Sequence, residues 1–366
     1  VKKMRVGVLF GGRSGEHEVS LNSAKSVINA LDPEKFEVVP IGITKQGRWL
    51  LGTDPVQVLA NGGFDSKLVP VALIPDPVEP RLIPPEGGKG ALGSVEVIFP
   101  VLHGTFGEDG TIQGLLELAN LPYVGSGVLG SAAGMDKIIM KQVFAQVGLA
   151  QARFLAFTRK QFEHEPLRVL EEIENILGYP CFVKPANMGS SVGISKAHNR
   201  FELEAAMALG AKYDRRLVVE EFVDAREVEV AVLGNDDAVA SVPGEVIPCN
   251  EFYDYKAKYI DGDSALIIPA QMSEESIRAI QSAAVKAFKA LDCAGLARVD
   301  FFVDRRDGRV LINEVNTLPG FTDISMYPKL WEASGLSYPE LLGKLIDLAL
   351  ERHKDKNRSK TSFELD

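Results

Sequence analysis

Two apolar runs joined by a short polar turn constrain this chain more than any other stretch. Leu-Ala-Arg-Val-Asp-Phe-Phe-Val-Asp at 296–304 and Arg-Val-Leu-Ile-Asn-Glu-Val-Asn at 309–316 flank the turn Arg305–Gly308. Both runs are short, rich in Val, Ile and Phe, and bounded by turn residues, a pattern that predicts adjacent strands. Side chains at i and i+2 share one face of a strand. Arg298 and Asp300 therefore point the same way, and so do Glu314 and Asn316. If the strands pair, Asp300, Glu314 and Asn316 converge as an all-oxygen cluster with a cation at one end. Oxygen donors suit a hard divalent ion such as magnesium, which also takes phosphate oxygens and water. A single acid on a strand is more often a solvated surface charge. The apolar residues packed between these polar ones argue instead for a lined cleft.

The chain has 366 residues, more than one ordinary core accommodates, so two or three domains are expected. Its net charge of −10 argues against a nucleic-acid surface and admits phosphate ligands only where local cations gather. Cys181, Cys249 and Cys293 lie far apart with no metal-ligand or redox spacing. They read as reduced, mostly buried thiols of a cytoplasmic protein. The apolar run Val6–Phe10 is too short for a signal-peptide core, and nothing approaches a membrane span.

Residues 1–133 read as an open, parallel α/β unit. A buried strand at Met4–Phe10 runs into the tight loop Gly-Gly-Arg-Ser-Gly at 11–15, and Glu16 opens a helix to about Leu31 before a strand at Phe36–Ile43. That is strand, glycine loop, helix, strand, although the glycine spacing is not the dinucleotide fingerprint. Glu16 either complements the helix dipole or faces the crevice and holds a ligand ammonium group. Residues 54–94 read as irregular loops with short strands. A strand at Val95–Pro100 leads into His103-Gly-Thr-Phe-Gly-Glu-Asp-Gly110, a polar loop of the kind that carries function in α/β sheets. A helix Thr111–Asn120 and a strand Leu121–Val124 follow.

A second unit, 134–223, opens with a helix from Met135-Asp136-Lys137, then a strand Ala152–Phe157 and a helix Phe162–Leu177. A strand ending in Lys184-Pro185 runs into Gly189-Ser190-Ser191-Val192-Gly193. Such a loop is either a plain hairpin or a backbone cradle for phosphate oxygens; Lys184 just before it favours the cradle. It is not a Walker motif. Leu217–Val223 is a strand carrying Glu220 and Glu221. The third unit, 224–366, begins with a strictly alternating strand that puts Glu227 and Glu229 on one face. A tyrosine- and lysine-bearing segment at about 249–269, with Lys258 and Tyr259, reads as a lid. Ser273 caps a helix to about Leu291, and Leu336–His353 forms a last helix.

A lysine beside a glycine-serine loop, paired acids and a lysine-tyrosine lid all point to phosphoryl transfer, which needs positioning and charge neutralisation more than a nucleophilic side chain. Seven motifs carry a resemblance from Val6 to about His353: 10–21, 103–110, 135–137, 184–193, 252–259, 297–301 and 313–322. In that order and spacing the chain resembles the D-alanine–D-alanine ligases of the ATP-grasp superfamily. The resemblance implies a mixed α/β and α+β protein of three domains, the second and third enclosing ATP. It implies ligation of two D-alanines through a D-alanyl phosphate, for peptidoglycan precursor synthesis, by a homodimer.

By the same resemblance, Lys137 and Lys184 would contact phosphates together with Gly189, Ser190, Ser191 and Val192. Glu220, Glu221, Phe222 and Val223 would line the adenine site and Glu227 would meet the ribose, with Lys258, Phe302 and Asn313 completing the nucleotide contacts. Asp300, Glu314 and Asn316 would hold two magnesium (or manganese) ions. Glu16, Val19 and His103 would line the first D-alanine site, while Ser325 and Met326 would lie beside the second. Arg298 and the Gly320 N–H would stabilise the oxyanion, and Ser190 and Tyr259, linked to Glu16, would orient the substrates. Tyr259 is absent from relatives that join D-alanine to D-lactate. Another carboxylate–amine ligase of the superfamily, of the D-lactate or D-serine type, and a non-catalytic ATP-binding module stay open as alternatives.

Overall fold

The computed structural model describes residues 2–52, 55–60, 68–84, 95–189, 192–247, 265–322 and 324–360. In chain order its elements are β1 (Met4–Gly11), α1 (His17–Ala30), β2 (Phe36–Ile43), β3 (Trp49–Leu51), α2 (Pro55–Ala60), β4 (Val69–Ile74), β5 (Arg81–Ile83), β6 (Val97–Val101), α3 (Thr111–Leu118), α4 (Val128–Met135) and α5 (Lys137–Gln146). There follow β7 (Phe154–Thr158), α6 (Arg159–His164), α7 (Pro166–Ile176), β8 (Cys181–Pro185), β9 (Ser195–Ala197), α8 (Arg200–Tyr213), β10 (Arg216–Glu221), β11 (Ala225–Gly234), β12 (Val239–Ala240), β13 (Gly244–Ile247) and β14 (Ala265–Ile267). The last are α9 (Glu274–Ala290), β15 (Gly295–Asp304), β16 (Val310–Asn316), α10 (Met326–Ala333) and α11 (Tyr338–Lys356).

Three sheets result. The first runs β5-β4-β3-β2-β1-β6. Its heart is parallel, β1 lying between β2 and β6, because α1 carries the chain back from the end of β1 to the start of β2 and the excursion through β3, β4 and β5 returns it to the same end before β6. On the far side of β2 the sheet continues antiparallel through β3, β4 and β5. Of that extension, β4 and β5 are short strands within 54–94, the stretch read as irregular loops with short strands. The expected strand Leu121–Val124 is reduced to a single bridge from Ile98 to Tyr123.

The second sheet, β7-β10-β8-β9, is antiparallel and buries its own core of Phe157, Val169, Ile173, Val183, Leu203, Met207 and Leu217 against α6, α7 and α8. The expected single helix over 162–177 is broken in two. Pro166 has no N–H to continue α6 and instead stands in the first turn of α7, where that loss is harmless. Asp136 does not lie inside a helix but caps α5, accepting the Ile138 and Ile139 N–H groups.

The third sheet is β14-β13-β11-β15-β16, with β12 on β11. One face packs on α9 and α5 through Val228, Val230, Phe288, Val299, Phe301 and Ile312. A separate core joins the first and third sheets. Val6, Val8, Phe10 and Phe99 from the first pack with Leu233, Leu296, Phe321, Tyr327, Trp331, Leu342 and Ile346 from the C-terminal part. Phe99 meets Phe321 edge-on at 5.8 Å. At about 25 cal/mol per Å² of apolar surface removed from water, such shared burial binds the two sheets as firmly as a domain interior. Among the described residues, no helix is long and apolar enough to cross a membrane.

Candidate active site

The antiparallel pairing of β15 with β16 sets Arg298 opposite Asn316 and Asp300 opposite Glu314. Across β15 on the other side, Glu229 of β11 lies opposite Asp300. Glu229, Asp300 and Glu314 therefore form a row across three strands. The register slips immediately after Asp300: Phe301 pairs with Ile312, so Asn313 is the extra residue of a β-bulge. Bulges re-aim side chains at site rims, and this one lets Ile312 and Val315 both reach the core while Glu314 stays on the cleft face.

Arg298 binds this row. Its Nε and second terminal nitrogen each donate to one Asp300 oxygen at 2.7 Å, and Nε lies 3.0 Å from Glu229. Burial works against the guanidinium charge, but Asp300, Glu229 and Glu314 outweigh it and hold the pKa well above the usual value. The Asn316 amide oxygen accepts the Leu318 N–H at 3.1 Å. Among the described residues no three His, Cys, Asp or Glu side chains form a ready-made metal cluster. What is present is two carboxylates and an amide, an all-oxygen set that fits a hard ion sharing its coordination with phosphate and water.

Cations face these acids from the second sheet. Lys184, at the end of β8, donates to Glu220 Oε2 at 3.0 Å, and Lys141 of α5 lies 3.3 Å from Glu220 Oε1. Burial works to raise the Glu220 pKa, but the two lysines hold it down at about 2. Lys184 is pushed up: burial opposes its charge, while Glu220, Glu314 and Glu227 favour it. Glu314 thus acts on Lys184 as well as on Arg298, which makes the acidic row and the lysines one electrostatic site. Lys137 reaches the same loop, its Nζ donating to Met188 O at 2.7 Å and its N–H to Ala186 O at 3.0 Å. Beyond β10, Phe222 is exposed with Lys196 Nζ 4.3 Å over its ring; Val223 and Glu227 are half-buried. Glu221 turns outward to Arg153. Phe302 of β15 lies opposite Glu227.

The glycine loop brings the first sheet into the site. Glu16 stands at the start of α1 but makes no side-chain capping hydrogen bond, so its burial, at 8% exposure, has another purpose. Its carboxylate lies between two glycines: a Cβ on Gly104 would fall 2.6 Å from Glu16 Oε2, and one on Gly189 2.7 Å from the same atom. His103 is buried, with Nδ1 3.1 Å from Leu318 O and Nε2 3.1 Å from Ser23 Oγ. Burial lowers its pKa, so the neutral ring donates to the carbonyl and accepts from the hydroxyl. Val19 is buried on α1. Gly320 is as tightly fitted: a Cβ there would lie 2.8 Å from Ser325 Oγ, which itself accepts the Thr322 N–H at 2.9 Å. Met326 is buried at the start of α10. Ser190, Ser191, Lys258 and Tyr259 lie outside the described residues, as does most of the expected lid.

Two residues of the site were not singled out from the sequence. Glu108 is buried and accepts the Gly104 N–H at 2.6 Å. Burial, then the nearby Glu16, push its pKa well up, and it also feels Arg298 and Glu314. Lys141 is the other; its spacing of four from Lys137 on an otherwise apolar helix was the available signal.

Two α+β sheets facing one another across lysines and acids, with a parallel α/β sheet closing the end, define an ATP-grasp ligase. The first part of the chain, residues 5–126, matches the family model for the D-ala D-ala ligase N-terminus, and residues 143–347 match that for the D-ala D-ala ligase C-terminus. The chain belongs to the D-alanine–D-alanine ligase family. A D-alanine–D-alanine ligase of Natranaerobius thermophilus is 54% identical over 99% of both chains. Among solved structures, the D-alanine–D-alanine ligase of Coxiella burnetii superposes with a TM-score of 0.82 at 38% identity, covering 97% of this chain and 98% of that one. The VanG D-Ala:D-Ser ligase of Enterococcus faecalis gives 0.84 at 38% identity, covering 95% and 100%.

Proposed function

We propose that this chain joins two D-alanine molecules into D-alanyl-D-alanine at the expense of ATP, in the cytoplasm and as a homodimer. The observation that carries the reading is the cross-strand pair Asp300–Glu314 with Arg298 beside it and Lys184 within its field. A free carboxylate is a poor electrophile. Its oxygen attacks the γ-phosphorus of ATP as the bond to the β-phosphate oxygen breaks and ADP leaves, giving an acyl phosphate. The amine of the second amino acid, as the neutral base, then bonds to the acyl carbon, loses a proton and expels inorganic phosphate.

Each step asks something of this chain's residues. Glu16 takes the ammonium of the first D-alanine, at a position walled by Gly104, Gly189, Val19 and His103. Lys137, Lys184 and the backbone of Gly189 to Val192, with Ser190 and Ser191, hold the phosphates. Glu220, Phe222 and Val223 receive the base, whereas the Glu221 side chain, expected there, is taken up by Arg153. Glu227 meets the ribose, and Phe302 and Asn313 flank the nucleotide from the third sheet. Asp300, Glu314 and Asn316 would hold the magnesium ions, which when bound would supply charge neutralisation for phosphoryl transfer. Arg298 and the Gly320 N–H stabilise the oxyanion that forms as the amine attacks, a role in which one donor is worth about 3–4 kcal/mol. Ser325 holds the carboxylate of the second D-alanine with Met326 alongside; Ser190 and Tyr259, read as orienting the substrates, and Lys258, read as reaching the phosphate, lie outside the described residues. Of the units 1–133, 134–223 and 224–366, the separate core of the second sheet supports the central one, although α5 packs on the third sheet and the first and third sheets share a core.

Phosphate release from ATP, measured with and without D-alanine and with the product identified by mass spectrometry, tests this. D-alanine-dependent release with D-alanyl-D-alanine as product is expected. Release that needs D-serine or D-lactate as second substrate would replace the substrate assignment, and no release would leave only a nucleotide-binding module.

A further inference from the structure

Lys141 lies in the site yet has no part in the chemistry above. It sits one turn after Lys137 on α5, is 1% exposed, and points its ammonium at Glu220 Oε1, 3.3 Å away, with the Phe154 ring 5.7 Å off. Lys184 holds the other oxygen of the same carboxylate at 3.0 Å. One acid thus faces two ammonium groups, and the two differ in freedom. Lys141 rises from a helix and is wholly enclosed. Lys184 ends a strand at the glycine loop and keeps 12% exposure.

The contact from Lys141 is an ion pair only, since neither its Nζ nor Glu220 Oε1 makes a hydrogen bond. Lys184, by contrast, donates a full one. In the proposed function Lys184 turns to a phosphate while Glu220 meets the base. Were Lys184 the sole counter-ion of Glu220, that turn would strand a buried carboxylate, which proteins tolerate poorly. We propose that Lys141 is a positioning residue: the fixed counter-ion of Glu220, which keeps that carboxylate ionised and in place while Lys184 exchanges between Glu220 and the nucleotide phosphates. The inference rests on the nucleotide reading and adds to it the device by which one lysine is freed.

The test is calorimetric titration of the protein with magnesium ATP and with adenosine, which has the base and ribose but no phosphate. Lys141→Met leaves Lys184 as Glu220's only partner and fixes it there. ATP affinity is then expected to fall about tenfold or more, the worth of one charge-assisted hydrogen bond, with adenosine affinity changed much less. Lys141→Met/Glu220→Gln removes both buried charges, releases Lys184, and should restore most of the preference for ATP over adenosine. Equal losses for ATP and adenosine in Lys141→Met would mark a purely structural residue and overturn the proposal. So would undiminished ATP binding in Lys141→Met, or a double variant no better than the single. If Lys141→Met fails to fold, the double variant decides alone, because the one charge it parts from Glu220, that of Lys184, keeps Glu314 and Glu227 in its field: a preference for ATP near the wild type's is expected, and its loss refutes. A wild type that binds neither probe would overturn the nucleotide reading itself.

Discussion

Gly189→Ala isolates the junction between the glycine loop and the first sheet. The added methyl would stand 2.7 Å from Glu16 Oε2, where ordinary contact begins at 3.4 Å. The carboxylate is the free end of a flexible side chain, so it yields rather than the backbone, and it must retreat by about 0.7 Å, a misplacement that near a reacting centre costs on the order of 10- to 100-fold in rate. Gly189 does not have the left-handed backbone that penalises a side chain, so the change in stability should stay within about 1 kcal/mol. The expected result is a 10- to 100-fold loss in kcat/KM for D-alanine at saturating ATP, with an almost unchanged melting temperature. Gly104→Ala presses the same oxygen from 2.6 Å but sits at φ +75°, so it should lose melting temperature as well. Adding Glu16→Asp to Gly189→Ala shortens the acid and should give a loss smaller than the two single losses multiplied. Unchanged kcat/KM for D-alanine in Gly189→Ala, or a loss confined to the KM for ATP, would refute the placement of Glu16 as the amino-acid ligand.

Arg298→Lys keeps a charge for Asp300 and Glu229 but not the two-pronged geometry; turnover should fall about 10²- to 10³-fold with nucleotide affinity retained, measured by single-turnover phosphate release and ATP titration. Glu220, held at a pKa of about 2 against an ordinary 4.5, contributes stability that is complete above pH 4.5 and lost as pH falls through 2. Urea midpoints should therefore drop more steeply over that interval for the wild type than for Glu220→Gln. Burial pushes the Cys293 thiol up to about 12 and Cys181 to about 11. Both should resist iodoacetamide at pH 8 in the native protein and label on denaturation, as peptide mass mapping would show. Tyr259→His should shift the product ratio toward D-lactate when both nucleophiles are offered; an unchanged ratio would remove Tyr259 from selectivity.

The strongest period-2 patterns in the sequence became the strands that matter. In β15 Arg298 and Asp300 alternate with Val299 and Phe301, so their faces were legible, whereas Phe301, Phe302 and Val303 are apolar in succession and do not declare theirs. In β16 the shared face of Glu314 and Asn316 was equally legible, but the bulge at Asn313 breaks the count for the residues before it. Only tertiary pairing decides where a bulge falls. Glu108 and Asp109 could not be told apart as neighbouring acids of one loop. Asp109 serves the turn, accepting the Phe106 and Thr111 N–H groups, whereas Glu108 points inward. Helix α8 went unread: Glu-Leu-Glu-Ala-Ala-Met-Ala-Leu is strong helix former throughout, but with small residues on both sides it has no marked apolar stripe. Pro166 marks a helix start, but the apolar period runs on across it and hides the break.

The core common to β1, β6, α10 and α11 bears on how this chain can be dissected. Tyr338 Oη donates to Phe321 O at 2.9 Å, and an Arg352 nitrogen to Tyr123 O at 3.1 Å, so the last helix fastens the opening sheet from outside. A fragment ending near residue 133 would keep Leu21, Ala24 and Val27 of α1 in that core but lose Phe321, Tyr327, Leu342 and Ile346 from it, and would clump unless the tail were supplied in trans. The order of synthesis then matters: the part of the polypeptide that leaves the ribosome first must wait for the part that leaves it last.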